Sequence, residues 1–280
     1  MIIDFHAHTF PDKIAQNTVD FLKTKSRTEN FSDGTVTGLS KRIKKNGIDL
    51  AVVLPVVTNP LKTDRINEAA ALVNRTTEDT GVFSFGGMHP DTPDYKKELK
   101  RIADLGLKGI KLHPAYQQVP LDDIRYKRII AYADELGLII SIHGGIDIGI
   151  DGDWSTPQRA RRILDEIKPK KMIVAHMGGW LLWKDVKKYL CGQNMYFDTA
   201  FCYGEVPYQK DVPYEVRKSH LNGREITELI RLHGADKILF GTDSPWEEHA
   251  KQLTLISGLP LSKEEKEKIL GENGKKLLKL

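Results

Sequence analysis

Only two cysteines, Cys191 and Cys202, occur in 280 residues. Two thiols cannot supply the bridge framework of a small secreted fold, so stability must come from a packed core, and a reducing compartment fits. No apolar run approaches the roughly 20 residues that span a bilayer. The chain opens on Met-Ile-Ile-Asp-Phe, with no basic segment or apolar leader before it. These absences lead to the expectation of a cytoplasmic protein with no membrane partner. An excess of one charge is missing too: 42 Lys and Arg face 38 Asp and Glu, a formal net charge of +4. Lysines crowd residues 263–279 but glutamates are interspersed, as on a solvated helix face, so no nucleic-acid partner is expected. No Gly-x-Gly-x-x-Gly follows the first strand, which argues against a dinucleotide-binding sheet. Without an internal repeat, low-complexity linker or break in composition, one domain over residues 1–280 is expected.

What the chain does contain is an alternation of short apolar runs with amphipathic stretches. Eight runs read as strands: residues 2–5, 50–57, 82–86, 109–112, 138–142, 172–175, 195–198 and 238–241. They are near-continuously apolar, as strands covered on both faces should be. Helical signals lie at 64–79, 122–136, 157–167, 224–233 and 263–279. Ser155-Thr156-Pro157 is an N-cap followed by proline in the first turn. Strands alternating with helices imply parallel pairing through right-handed crossovers, and eight such units in this length predict an α/β fold, a (β/α)8 TIM barrel. Residues 144–155 and 201–222 lack clear periodicity. Both follow candidate strands and are expected to be binding loops at the C-terminal mouth.

Histidines gather where these strands end. His6 and His8 close the first run, two positions apart and therefore on one face of a strand. His89, His113, His143 and His176 follow later runs, so six of the nine histidines fall at strand tips. Lys111 stands just before His113, and Asp243 follows the last strand in Phe-Gly-Thr-Asp-Ser-Pro-Trp. Barrel strand tips meet in one ring, where residues are usually catalytic. Neutral imidazoles and a carboxylate on rigid tips suit a zinc-like ion that lowers the pKa of water from about 15.7 to about 7. Imidazole titrates near neutrality, so His176 is a candidate acid and base and Asp243 a candidate partner of that water.

The set Asp-x-His-x-His, Lys-Leu-His-Pro, Ile-His-Gly-Gly, Ala-His-Met-Gly-Gly and Gly-Thr-Asp-Ser-Pro-Trp resembles the amidohydrolase superfamily. It is most similar to the branch containing aminocarboxymuconate-semialdehyde decarboxylase and related metal-dependent hydrolases. The closing Ile-Leu-Gly-Glu-Asn-Gly-Lys-Lys-Leu-Leu resembles that branch's terminal helix. By this resemblance His6, His8, His143 and Asp243 are metal ligands, and His176 is the acid/base beside the metal. Binuclear members carry a carboxylated lysine where Lys111 stands, whereas the decarboxylase-like branch uses one metal. One ion is therefore expected, with Lys111 as a charged substrate contact. Zinc suits the ligands first, with manganese, iron and cobalt as alternatives. Relatives often dimerise, so a homodimer is implied by the resemblance alone.

His89, His113, Trp154, Tyr203, Arg217 and Trp246 are candidate substrate contacts, and Trp180 a further pocket residue. The expected activity is metal-dependent hydrolysis of a small molecule. The alternative is non-oxidative decarboxylation of an aromatic or muconate-type acid in the same site. Phosphoester hydrolysis is a third reading, which the balanced charge disfavours, and a non-enzymatic barrel is a fourth. Asp4 shares the face of His6 and His8 and is expected to support rather than ligate. His220, His233 and His249 are expected to be ordinary, and Cys202 has nothing nearby to activate it.

Overall fold

The computed structural model describes residues 1–205, 208–209 and 220–280. In chain order the strands are β1 (Ile3–Ala7), β2 (Leu50–Val53), β3 (Val82–Ser84), β4 (Gly86–Gly87), β5 (Gly109–Leu112), β6 (Ile139–Ile142), β7 (Gly145–Asp147), β8 (Ile150–Ser155), β9 (Met172–Val174), β10 (Tyr196–Asp198) and β11 (Ile238–Leu239). Every expected strand is present. The chain packs into two units: residues 1–53, 76–83 and 198–280 form the first, and residues 54–75 and 84–197 the second.

In the first unit β1 runs parallel to β2, with Ile3 opposite Leu50 and Asp4 opposite Ala51. All five residues of β1 are buried, which is why its sequence is apolar apart from functional positions. The backbone of β1 is also laced to the segment after β11. Phe5 N donates to Phe240 O (2.7 Å), Asp243 N to His6 O (2.7 Å) and His8 N to Ser244 O (2.6 Å). The helix Gly223–His233 opens with a capping box between Asn222 and Glu225 and buries Ile226, Leu229 and Ile230. The expected helix over 263–279 is observed as Lys263–Glu267, a π turn at Lys268–Glu272, and Asn273–Leu278. The interruption has a local cause: Ile269 O is diverted from the helix ladder to accept from Phe240 N (2.9 Å).

In the second unit the strand order is β4-β5-β6-β9-β10. The pairing is parallel, with Lys111 opposite Ser141 and Ile142 opposite Val174. The helix Pro157–Glu166 begins as its sequence signal predicts: the Thr156 hydroxyl accepts from Arg159 N and Pro157 occupies the first turn. Gln117 is buried and braces three strand ends. Its amide donates to Val57 O and Met88 O (2.7 Å each) and accepts from His113 N (3.1 Å).

Residues 144–155, read from sequence as a loop, are instead an antiparallel hairpin, β7 paired with β8, with Asp147 opposite Ile150. Asp151, Gly152 and Asp153 are exposed while Ser155 is buried. With so little of the hairpin covered, no apolar alternation marks it in the sequence. The Ser155 hydroxyl donates to His143 O, so the hairpin returns to the strand tip from which it leaves. Among the described residues no helix is long and apolar enough to cross a membrane.

Candidate metal centre and active site

In the first unit β1 carries His6, the residue just past its end is His8, and the lacing to residues 240–244 delivers Asp243. His6 Nε2 lies 3.2 Å from His8 Nε2 and 3.3 Å from Asp243 Oδ1, and His8 Nε2 lies 3.0 Å from the same oxygen. Donors bound to a zinc-like ion at about 2.0–2.2 Å stand about 3.0–3.5 Å apart, so this trio has the mutual spacing of neighbouring ligands. The donors are also of the right kind. His6 Nδ1–H donates to Asp198 Oδ2 (2.8 Å), which keeps the Nε2 lone pair turned toward His8 and Asp243. Asp198 is itself held by Ala200 N on its other oxygen (3.2 Å). The residues present fit a divalent cation.

The support of this trio is buried and polar. Asp4 is fully buried; its Oδ1 accepts from His6 N (3.1 Å) and Thr242 N (3.0 Å), and its Oδ2 from the Thr242 hydroxyl (2.5 Å). His249 Nε2 lies 3.1 Å from Asp4 Oδ2. Gly241 allows a close approach beside His6: a Cβ there would sit 3.0 Å from His6 Cβ and 3.3 Å from Ala200 Cβ, tighter than ordinary contact. Asp243 takes a left-handed backbone (φ 56°), a region that aspartate tolerates better than most residues. Glu247, which the sequence reading did not single out, is buried. It accepts from Phe201 N (3.1 Å) and Gln252 Nε2 (2.8 Å). Burial, and then the neighbouring Asp243 and Asp4, push its carboxyl well above the usual range. The Cys202 thiol is buried, donates to Thr199 O (3.1 Å) and is pushed well up by burial, which leaves it unreactive.

The second unit gathers the basic strand-tip residues. Lys111 on β5 is 1% exposed. The His113 ring stacks on Tyr116 (4.1 Å between centroids) and on His143 (4.2 Å). His113 Nδ1 accepts from Tyr116 N (3.3 Å), and its Nε2 lies 3.8 Å from Asp147 Oδ2. His143 Nε2–H donates to Ile146 O (3.3 Å), which leaves Nδ1 to face His176 Nε2 at 3.1 Å. Burial holds the His143 imidazole well below its usual pKa, helped by the charges of His113, His176 and Lys111. His176, like Asp243, sits in the left-handed region (φ 59°). Such outliers concentrate where structure is held for function.

The remaining candidates are placed as follows. His89 is buried in the second unit, its Nδ1 accepting from Asp91 N (3.1 Å), and burial lowers its pKa. Trp154 belongs to β8, with its indole N–H donating to Asp151 O (2.8 Å). Tyr203 is buried in the first unit, its carbonyl accepting from Gln252 Nε2 (3.3 Å). Trp246 is half-buried and its N–H donates to Asp243 O (3.0 Å), closing the turn that carries the aspartate. Arg217 lies outside the described residues. Asp198 escaped the sequence reading although its signal was present: it ends the seventh apolar run, where an acidic residue stands in place of the strand-tip histidine.

Comparison with known proteins bears on this arrangement. No curated protein matches the chain. A 5-carboxyvanillate decarboxylase from Sphingomonas paucimobilis is similar in structure, with a TM-score of 0.66 at 16% identity over 100% of this chain and 99% of that one. A second 5-carboxyvanillate decarboxylase, from Novosphingobium aromaticivorans, holds manganese and 4-hydroxy-3-methoxy-5-nitrobenzoic acid. It aligns at a TM-score of 0.69 and 18% identity over 100% of this chain and 96% of that one. An uncharacterised TIM-barrel protein from Bordetella bronchiseptica aligns at 0.72 and 18% identity over 99% and 98%. These likenesses show the fold, the TIM barrel that the strand–helix alternation predicts. The amidohydrolase family profile matches residues 3–280, and the chain belongs to that family of enzymes.

Proposed function

We propose that this amidohydrolase-family enzyme is a metal-dependent, non-oxidative decarboxylase of a small aromatic or muconate-type carboxylic acid. The observation that carries the reading is the His6–His8–Asp243 trio, with its donor atoms 3.0–3.3 Å apart. Decarboxylation is supported over hydrolysis, the first expectation from sequence, by solved relatives that are decarboxylases, one of them holding manganese beside a substituted benzoic acid. The basic group on the second unit also suits an anionic substrate.

A divalent ion held by His6, His8 and Asp243 would supply Lewis acidity and a fixed positive charge for a substrate oxygen. The ion is zinc or manganese in this reading, and the assignment of His143 as a further ligand is retained from the superfamily resemblance. Asp198 orients His6 by taking its Nδ1 proton. Lys111, buried on β5, is the contact of the substrate carboxylate by the same resemblance, and His113 is assigned as a further substrate contact. The carbon–carbon bond to the carboxylate breaks, carbon dioxide leaves, and the electron pair stays on the ring or chain carbon. His176 delivers the proton that this carbon takes up.

The test is to incubate metal-loaded protein with hydroxybenzoic and muconate-type acids and to measure carbon dioxide. Metal-dependent release of one carbon dioxide per acid consumed supports the reading. Turnover of lactones or amides with no carbon dioxide from any acid returns the protein to the hydrolases.

A further inference from the structure

Two different segments carry the metal donors of the first unit: β1 and the residue after it bear His6 and His8, and the turn after β11 bears Asp243. Their spacing therefore depends on what joins the two backbones. Both backbone polar groups of His6 take part in that joining, through different partners. Its carbonyl accepts from Asp243 N (2.7 Å). Its N–H points instead at Asp4 Oδ1 (3.1 Å), the oxygen that also accepts from Thr242 N (3.0 Å). One carboxylate oxygen thus clamps two backbone amides from the two ligand-bearing segments. The second oxygen is fixed by the Thr242 hydroxyl (2.5 Å) and faces His249 Nε2 at 3.1 Å.

His249 is the first residue of the helix His249–Ser257 and is completely buried, and neither of its ring nitrogens has a hydrogen-bond partner. Leaving buried ring nitrogens unsatisfied carries a penalty, so packing alone gives no reason for histidine there. Its Nε2 does stand within ion-pairing distance of Asp4 Oδ2. In sequence the three residues follow one another at two-residue steps, Asp4, His6 and His8, across a register irregularity between Asp4 and Ala7, with the clamp at one end and the two donors beyond it.

We infer that Asp4, backed by His249, is the positioning residue that sets the distance between the His6/His8 pair and Asp243 and so preorganises the cation site. This rests on the metal-centre reading above. A carboxylate is needed because a single oxygen must satisfy two N–H donors while its twin accepts from a hydroxyl. Asparagine keeps the shape but turns an N–H2 group toward one of these donor sets. Outer partners of metal ligands typically change affinity about 10–100-fold when altered.

The experiment measures zinc and cobalt(II) binding to metal-stripped wild type, Asp4→Asn, Asp4→Ala, His249→Gln and His8→Ala by competition with a chromophoric chelator. The visible spectrum of the cobalt forms and the thermal midpoint of each stripped protein are recorded alongside. The expected result is a loss of affinity of about 10–100-fold for both Asp4 variants and a smaller loss for His249→Gln. The cobalt spectrum should shift in Asp4→Asn while its stripped form still melts cooperatively near wild type. Wild-type affinity and spectrum in Asp4→Asn would overturn the inference, as would a loss confined to variants whose stripped form has already unfolded. Failure of wild type itself to bind an ion, or undiminished binding in His8→Ala, would overturn the metal-centre reading instead.

Discussion

The Nδ1 of His6 lies 2.8 Å from Oδ2 of Asp198, with both side chains 1% exposed. A buried aspartate with two accepting oxygens leaves that imidazole one arrangement, with its proton on the Asp198 side and its lone pair on Nε2. The tautomer that His6 would offer to a metal ion is therefore set by a residue 192 positions away in sequence.

Asp198→Asn tests this directly. Asparagine has one accepting oxygen, while Asp198 accepts from both His6 Nδ1 and Ala200 N. One of those donors must then face an amide N–H2 group. Metal affinity is expected to fall about 10–100-fold with the fold retained, measured by chelator competition and far-ultraviolet circular dichroism. Unchanged affinity would remove Asp198 from the account.

Metal binding should be visible in stability. An ion that binds only the folded chain adds about 2.7 kcal/mol when free metal is 100 times its dissociation constant. For a chain of this size that raises the thermal midpoint by about 5–10 °C. Excess chelator should reverse the rise, and His8→Ala should show none. Calorimetry with and without zinc or manganese decides it.

Lys111→Met keeps the length of the side chain and removes its charge. Under the decarboxylase reading, KM for the acid is expected to rise about 10–100-fold, the worth of a charge-assisted contact of about 1.5–3 kcal/mol. Metal content should stay at the wild-type level. Steady-state kinetics on whichever acid releases carbon dioxide, together with metal analysis, checks both halves.

Acid should destabilise the chain early. His89, His143 and His220 all have folded pKa values below the ordinary 6.5, each through burial first, and His220 falls to about 4. A depressed pKa means that the unfolded chain binds more protons between the two values. The stability these neutral rings contribute is complete above pH 6.5 and is lost as pH falls toward their folded values. Glu247 works in the opposite sense, its raised pKa favouring the fold below 4.5 and less so as pH rises. Urea midpoints should decline from pH 7.5 to pH 5 in wild type. The stability of Glu247→Gln relative to wild type should improve as pH rises.

Much of the fold was legible because strands covered on both faces need continuous apolar runs, and all eight runs became strands. The hairpin β7–β8 was not legible, since Asp151, Gly152 and Asp153 are exposed and leave no alternation to read. Helices such as Tyr95–Asp104 escaped notice because a helix that buries little beyond Leu99 and Ile102 looks, in sequence, like a charged loop. Among candidate site residues, strand-tip histidines were conspicuous because histidine is rare. Asp198 and Glu247 were hidden by ordinary letters, and only burial against particular partners marks them out. Asp4 was readable as a supporting group from its two-residue step to His6. Its hold on Thr242 was not, because that contact joins opposite ends of the chain.

The left-handed backbone at Asp243 and His176 acts as a filter on chemistry. Only glycine, asparagine, aspartate and, less readily, histidine settle in that conformation without appreciable strain. Of these, only aspartate and histidine pair strong coordinating power with ready proton exchange. Exchanging Asp243 for glutamate would lengthen the reach of the oxygen and strain the turn together, so very few residue types can take its place.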